Sequence, residues 1–203
     1  MTPIPYCTLT LLAAAGTVLV VPGAAQVLML EREALNGGEL WRLLSAHLVH
    51  YSWAHFGANL LVLAPAAWLV ETRDRRDFLP VVLLAALMAG LAVYLAEPGV
   101  KRFAGASALA FALLTYAALR GLRGTRPWRL VCVTLLALVL VKTGAELMLG
   151  WQPVDWRADG FVAVPLSHAA GIAAGTAVWL RRTMLMRAAG ADGVAPDRAG
   201  RTA

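Results

Sequence analysis

The stretch HLVHYSWAHFGANLLVL, residues 47–63, puts three of the chain's four histidines and an asparagine at the mouth of an otherwise apolar run. No Asp, Glu, Lys or Arg occurs from residue 52 to residue 70. Crossing the hydrocarbon core takes roughly 20 mostly apolar residues in a helix, so this run is read as a membrane span with polar groups gathered at one end. Five further runs of this kind lie at 6–30, 78–96, 103–120, 129–149 and 163–180. With 60% hydrophobic and 15% charged residues over 203 positions, the composition excludes an ordinary soluble domain. The expected fold is all-α: a bundle of six transmembrane helices over residues 1–182, with 183–203, rich in Gly, Ala and charge, as a disordered cytoplasmic tail.

No Lys or Arg precedes the first run, so it is read as a retained span despite the small residues of PGAAQ. Cys7 and Cys132 stand far apart inside apolar runs, which supports neither a disulfide framework nor a metal knuckle. The formal charge of +6 is informative only after sorting by loop. Arg73, Arg75 and Arg76, then Arg120, Arg123, Arg126 and Arg129, then Arg181, Arg182, Arg187, Arg198 and Arg201 all fall on one side. The loops of the other side carry Arg32, Arg42, Lys101, Arg102 and Arg157, diluted by Glu31, Glu33, Glu39, Glu97, Asp155 and Asp159. The positive-inside rule therefore places both termini in the cytoplasm and assigns the basic excess to topology, not to nucleic acid.

Topology converts position into depth. The second, fourth and sixth spans all enter from the outer side, and at 1.5 Å per residue His55, Asn59, Ser107 and His168 come roughly 5–12 Å below the outer surface. Ionisable groups inside a bilayer are costly and face a bundle interior or a wet cavity, so four polar groups at one depth point to one cavity. Gly105 with Ser107 and Ala108, and Gly171 with Gly175, are small-residue patterns that let helices approach closely. Each residue also has a plainer reading. A lone membrane serine usually bonds a carbonyl of its own helix, and a lone histidine is usually a packed polar group.

A metal site is a poor reading of the opening stretch. On a straight helix His47 and His50 lie about 60° apart, whereas His55 and Asn59 lie about 40° apart on a different face. No face gathers three imidazoles, the H-E-x-x-H spacing is absent, and no cofactor is expected.

Four motifs in order resemble the rhomboid family of intramembrane serine proteases across residues 40–180. They are Trp41-Arg42 in the first loop, H-x-x-x-x-H-x-x-x-N as His50, His55 and Asn59, GAS at 105–107, and H-x-x-G-x-x-x-G as His168, Gly171 and Gly175. The resemblance implies Ser107 as nucleophile and His168 as general base, a dyad with no third, orienting carboxylate. It implies Asn59 and His55 as oxyanion donors beside the serine's N–H, and His50 as a structural or loop-anchoring residue. His47 has no role in the match, and a place near the interface suffices for it. Asp155 and Asp159 are read as solvated loop charges.

Two positions depart from the family's pattern. Ala108 stands where glycine usually follows the nucleophile, and its methyl is expected to push the fourth helix away from the sixth. Phe111 stands where a tyrosine often stacks on the catalytic histidine, and its ring is expected to stack without the hydroxyl. The compact six-helix form and the segment VAVPLSHAAGIAAG look most like the bacterial rhombosortase branch. That branch implies substrates that are exported proteins with a C-terminal Gly-Gly motif, transmembrane helix and basic cluster, cut at the outer face of the inner membrane.

Lys142 and Glu146 stand one turn apart on the fifth span. They are read as a mutually neutralising pair, with a border of the substrate entrance, or Lys142 as base for Ser107, as sharper alternatives. A catalytically inactive binder of transmembrane helices is the rival class of function. A small transporter would show internal repeats or broken helices, and neither is evident.

Overall fold

The computed structural model describes residues 4–152 and 163–192. Its helices are α1 (Tyr6–Val20), α2 (Ala24–Leu28), α3 (Arg32–Asn36), α4 (Arg42–Ser45), α5 (Trp53–Arg73), α6 (Arg75–Ala96), α7 (Ser107–Gly121), α8 (Arg126–Leu149) and α9 (Pro165–Asp192). A 3-10 turn covers Ala46–Leu48, and two short strands, β1 (Leu30–Glu31) and β2 (Arg102–Phe103), pair antiparallel. By length and composition α5, α6 and α8 can each cross a membrane, while α1 and α7 are shorter apolar helices.

Three boundaries differ from the expected runs. The first run breaks after Val20, because Val21 precedes Pro22 and is held extended, with φ −83° and ψ 117°. The fourth begins as the strand Arg102–Phe103, and its helix starts only at Ser107. The last continues to Asp192, past Arg182, since the sequence from Thr183 to Ala189 holds no glycine or proline to stop it. Residues 193–203 of the expected tail lie outside the described residues, as do Asp155 and Asp159. Pro127 and Pro165 fall at helix starts, where a missing N–H costs nothing.

Lipid tails are as apolar as leucine, so close packing rather than water exclusion holds such helices together. The centre is α7, buried along Ala108–Leu113 and at Tyr116, with α5, α6, α8 and α9 around it. Small residues line the tightest seams: Ala85, Ala86 and Ala89 on α6, Ala108 and Ala112 on α7, and Ala174 on α9, each nearly or fully buried. A Cβ added at Gly171 would sit 2.3 Å from the Ala108 carbonyl oxygen, and one at Gly175 would sit 2.2 Å from that of Ala112. The α7–α9 contact therefore brings backbone against backbone.

Buried charges tie the two ends. At one end Glu71, 1% exposed, accepts from the N–H groups of Cys7 (2.9 Å) and Thr8 (2.6 Å), filling orphan donors in the first turn of α1. Beside it Asp74 pairs with Arg120 and Arg182, each at 3.0 Å, and Asp77 accepts from Tyr116 and from Arg182. The ends of α5 and α7, the start of α6 and α9 at Arg182 are thereby fastened together. At the other end the Arg32 guanidinium caps α6, donating to Tyr94 O at 2.8 Å and Glu97 O at 2.9 Å. Glu31 pairs with Arg102 across β1 and β2, which draws the first long loop against the chain just before α7.

Candidate active site

The turn into α7 is shaped by one glycine. Gly105 has φ +128°, a region that L side chains rarely adopt, and an added Cβ would lie 2.9 Å from His55 Cε1 and 3.1 Å from His55 Nε2. The turn is held from outside as well. The Gly105 N–H donates to Ala46 O at 3.1 Å, and His47 Nδ1 lies 3.0 Å from Gly105 O. His47 Nε2 lies 3.0 Å from Ala86 O, so one imidazole spans the Gly105 turn and α6. Burial pushes the His47 imidazole below its ordinary range, although both carbonyls favour the protonated form.

His47 is thus not an interface residue as its sequence position suggested: it is 1% exposed and clamps the turn that presents Ser107. The signal that would have found it is a return contact across 58 residues, which no local pattern reveals. Replacing His47 with alanine unties the Gly105 turn from α6 and removes the one hydrogen bond a neutral imidazole donates there, at a cost of about 1–3 kcal/mol. Thermal unfolding in detergent is expected to shift down accordingly.

Ser107 is the first residue of α7, so its N–H has no carbonyl one turn back and the positive end of the helix is open there. Its Oγ lies 3.0 Å from His168 Nε2. Phe111, one turn further along α7, stacks on the imidazole with centroids 4.6 Å apart and planes 9° apart. The Lys142 ammonium lies 4.9 Å from the centroid of that phenyl ring. The methyl of Ala108 does not separate the helices as expected. It turns instead into a cluster with Ala89 and Ala170, leaving the Ala108 backbone to meet Gly171.

The other edge of the imidazole differs from the carboxylate-free dyad. His168 Nδ1 lies 2.9 Å from Glu146 Oε2, and Glu146 Oε1 lies 2.6 Å from Lys142 Nζ. The pair of Lys142 and Glu146 is present as read, but the carboxylate serves the histidine as well. Lys142 Nζ is 3.5 Å from Nδ1, on the edge of the ring away from Ser107, which is not where a base for that serine would stand. Depth held the missing signal. Glu146 is three residues from the C-terminal end of α8, and His168 is three residues into α9, at the same end of the bundle.

A cavity of about 200 Å³ opens on this constellation, and His55, Asn59, Ser107, Lys142, Glu146 and His168 all line it. Ser52 caps α5 by accepting from the His55 N–H at 3.0 Å, which fixes the first turn carrying His55. One N–H of the Asn59 amide is spent on His55 O at 2.8 Å, leaving its second for the cavity. Tyr51 stacks on His55 with centroids 5.9 Å apart. His50 packs behind, edge-on to His55 at 5.1 Å and to Phe56 at 5.2 Å. Burial, with His55 nearby, pushes the His50 imidazole down to about 4, so it stays neutral at physiological pH.

Trp41 and Arg42 lie away from the cavity. Arg42 is 6% exposed and donates to Gln26 O at 2.8 Å and Met29 O at 2.7 Å while pairing with Glu39 at 2.6 Å. Trp41 Nε1 reaches Val27 O at 3.4 Å. Together they pin α2 to the loop and leave the chemistry to others.

A family model described as the Rhomboid domain matches residues 37–183, a span that includes every residue of this cavity. Comparison with curated proteins finds no match.

Proposed function

The chain belongs to the rhomboid family of intramembrane serine proteases, and from that premise we propose that it is an active endopeptidase in which Ser107 is the nucleophile and His168 the general base. The observation that carries the reading is the 3.0 Å contact between Ser107 Oγ and His168 Nε2 at the wall of a cavity within the helix bundle.

His168 Nε2 takes the hydroxyl proton as Ser107 Oγ bonds to the substrate carbonyl carbon, and the carbonyl π electrons move onto its oxygen. The oxyanion is met by the Ser107 N–H at the helix start, the free N–H of Asn59 and the His55 ring. As the tetrahedral intermediate collapses the C–N bond breaks, and the proton on Nε2 passes to the leaving amine. A water molecule then gives its proton to Nε2 and its oxygen to the acyl carbon, the C–Oγ bond breaks to release the new carboxyl terminus, and the proton on Nε2 restores the Ser107 hydroxyl.

Rhomboid proteases act on membrane-helix substrates. For this chain the substrates are membrane-anchored exported proteins ending in a Gly-Gly motif, a transmembrane helix and a basic cluster, as the likeness of VAVPLSHAAGIAAG to the rhombosortase branch implies. Six spans cross the inner membrane, with both termini cytoplasmic and the cavity open to the periplasmic side. The arginine-rich loops support this orientation: Arg73, Arg120 and Arg182 lie at the bundle end where Asp74 and Asp77 gather, and Ser107 starts α7 at the opposite end.

A fluorophosphonate is expected to modify the detergent-purified protein at Ser107 alone, located by peptide mass spectrometry. A folded chain that stays unlabelled would instead indicate an inactive binder of membrane helices. The branch assignment is tested by mass spectrometry of the C-termini of exported proteins in cells with and without Ser107→Ala. Loss of C-termini near Gly-Gly supports it, and unchanged C-termini overturn it.

A further inference from the structure

The carboxylate behind the histidine is the feature that the dyad chemistry leaves unused. Glu146 is 4% exposed, and a carboxylate that far from water is costly unless both oxygens are engaged. Here both are: Oε1 accepts from the Lys142 ammonium at 2.6 Å, and Oε2 lies 2.9 Å from His168 Nδ1. An ionised carboxylate only accepts, so Nδ1 carries the proton and Nε2 presents its lone pair to Ser107 Oγ at 3.0 Å. Phe111 stacked at 4.6 Å prevents the ring from tipping out of that line.

We propose that Glu146 is a positioning residue for His168, the third member of a Glu–His–Ser relay, and that Lys142 sets its orientation from behind. This rests on Ser107 and His168 being the reacting pair. The carboxylate fixes the tautomer in which His168 accepts a proton from Ser107, and it offsets the positive charge that the imidazole gains as the serine attacks. Lys142 holds the other oxygen, so a single carboxylate rotamer faces Nδ1. The neutralising pair on α8 thus acts in the reaction, through the histidine of the neighbouring helix.

The role of Lys142 makes the proposal sharply testable. In Glu146→Gln the Lys142 ammonium attracts the amide oxygen, which turns the amide N–H groups toward His168 Nδ1. Nδ1 must then accept, Nε2 carries the proton, and His168 can no longer take one from Ser107. In the double variant Glu146→Gln with Lys142→Met the amide is free to turn its oxygen to Nδ1, and the productive tautomer returns.

The experiment measures kcat and KM for cleavage of a transmembrane substrate segment in proteoliposomes, the rate of fluorophosphonate labelling, and thermal midpoints. The wild type, Ser107→Ala, Lys142→Met, Glu146→Gln and the double variant are compared. Glu146→Gln is expected to lose on the order of 10³-fold in kcat with KM within about twofold, and to label correspondingly slowly. The double variant is expected to regain about tenfold or more over Glu146→Gln, which a merely structural ion pair would not produce. Glu146→Gln within about threefold of wild type, or a double variant no faster than the single, overturns the proposal while Ser107-dependent cleavage still stands. Wild type with no Ser107-dependent cleavage or labelling sinks the underlying reading instead. Should Glu146→Gln not fold, nitrogen NMR of ¹⁵N-histidine in the wild type decides: a proton on His168 Nδ1 supports the relay, and a proton on Nε2 alone overturns it.

Discussion

Replacing His168 with alanine is expected to lower kcat for peptide-bond cleavage by about 10⁴-fold or more while leaving KM nearly unchanged. The imidazole contacts the serine hydroxyl and the buried Glu146 carboxylate, and it is one of many groups that line the cavity. Its loss removes proton transfer in the transition state, not the groove that a helix would occupy. No other described group stands ready to replace it. Lys142 lies at the Nδ1 edge and is committed to Glu146 at 2.6 Å, while the His55 ring lies against Gly105. Cleavage retained in His168→Ala would mean that another base, Lys142 first among them, serves Ser107. Fluorophosphonate labelling is expected to disappear in the same variant with its fold intact.

Replacing Gly171 with valine is expected to cost less in activity, roughly 10²-fold, and more in stability. Even the first added carbon would stand 2.3 Å from the Ala108 carbonyl oxygen, 3.0 Å from its carbonyl carbon and 3.1 Å from its Cα. All three are backbone atoms, so the clash is relieved only by moving α9 away from α7. Ser107 adjoins Ala108 and His168 stands one turn before Gly171, so that movement opens the 3.0 Å contact directly. A displacement of about 1 Å costs roughly 10²-fold in rate, and overpacking adds about 1–3 kcal/mol of destabilisation. Gly144→Ala is the matched control: nothing lies within 4 Å of the added carbon, and wild-type activity and thermal midpoint are expected. Gly171→Val with normal activity would show that the α7–α9 seam is softer than its backbone contacts imply.

What could be read from the sequence was depth. Runs of apolar residues and alternate entry sides put His55, Asn59, Ser107 and His168 at one level, and the structure lines a single cavity with all four. The likeness to rhomboids likewise anticipated Phe111 over the imidazole, one turn from Ser107. Azimuth was not legible. Whether the Ala108 methyl clashes with α9 or fits against it depends on how the helix is rotated, and it packs with Ala89 of α6 and Ala170 of α9. The same limit hid Glu146: its i, i+4 partner Lys142 satisfies one oxygen locally, and nothing in the sequence tells which helix receives the other. His47 escaped for a different reason. Its partners, Ala86 and Gly105, are carbonyls 39 and 58 residues away, and a backbone oxygen leaves no mark in side-chain patterning.

The proposed reaction is cleavage of a peptide bond of a membrane-anchored protein by Ser107, served by His168. Its most direct test is mass spectrometry of a Gly-Gly, transmembrane and basic substrate segment incubated in proteoliposomes with the wild type and with Ser107→Ala. Two fragments whose masses sum to the substrate plus one water are expected from the wild type, and intact substrate alone from Ser107→Ala. Fragments in both, or intact substrate held by a folded wild type, would contradict it.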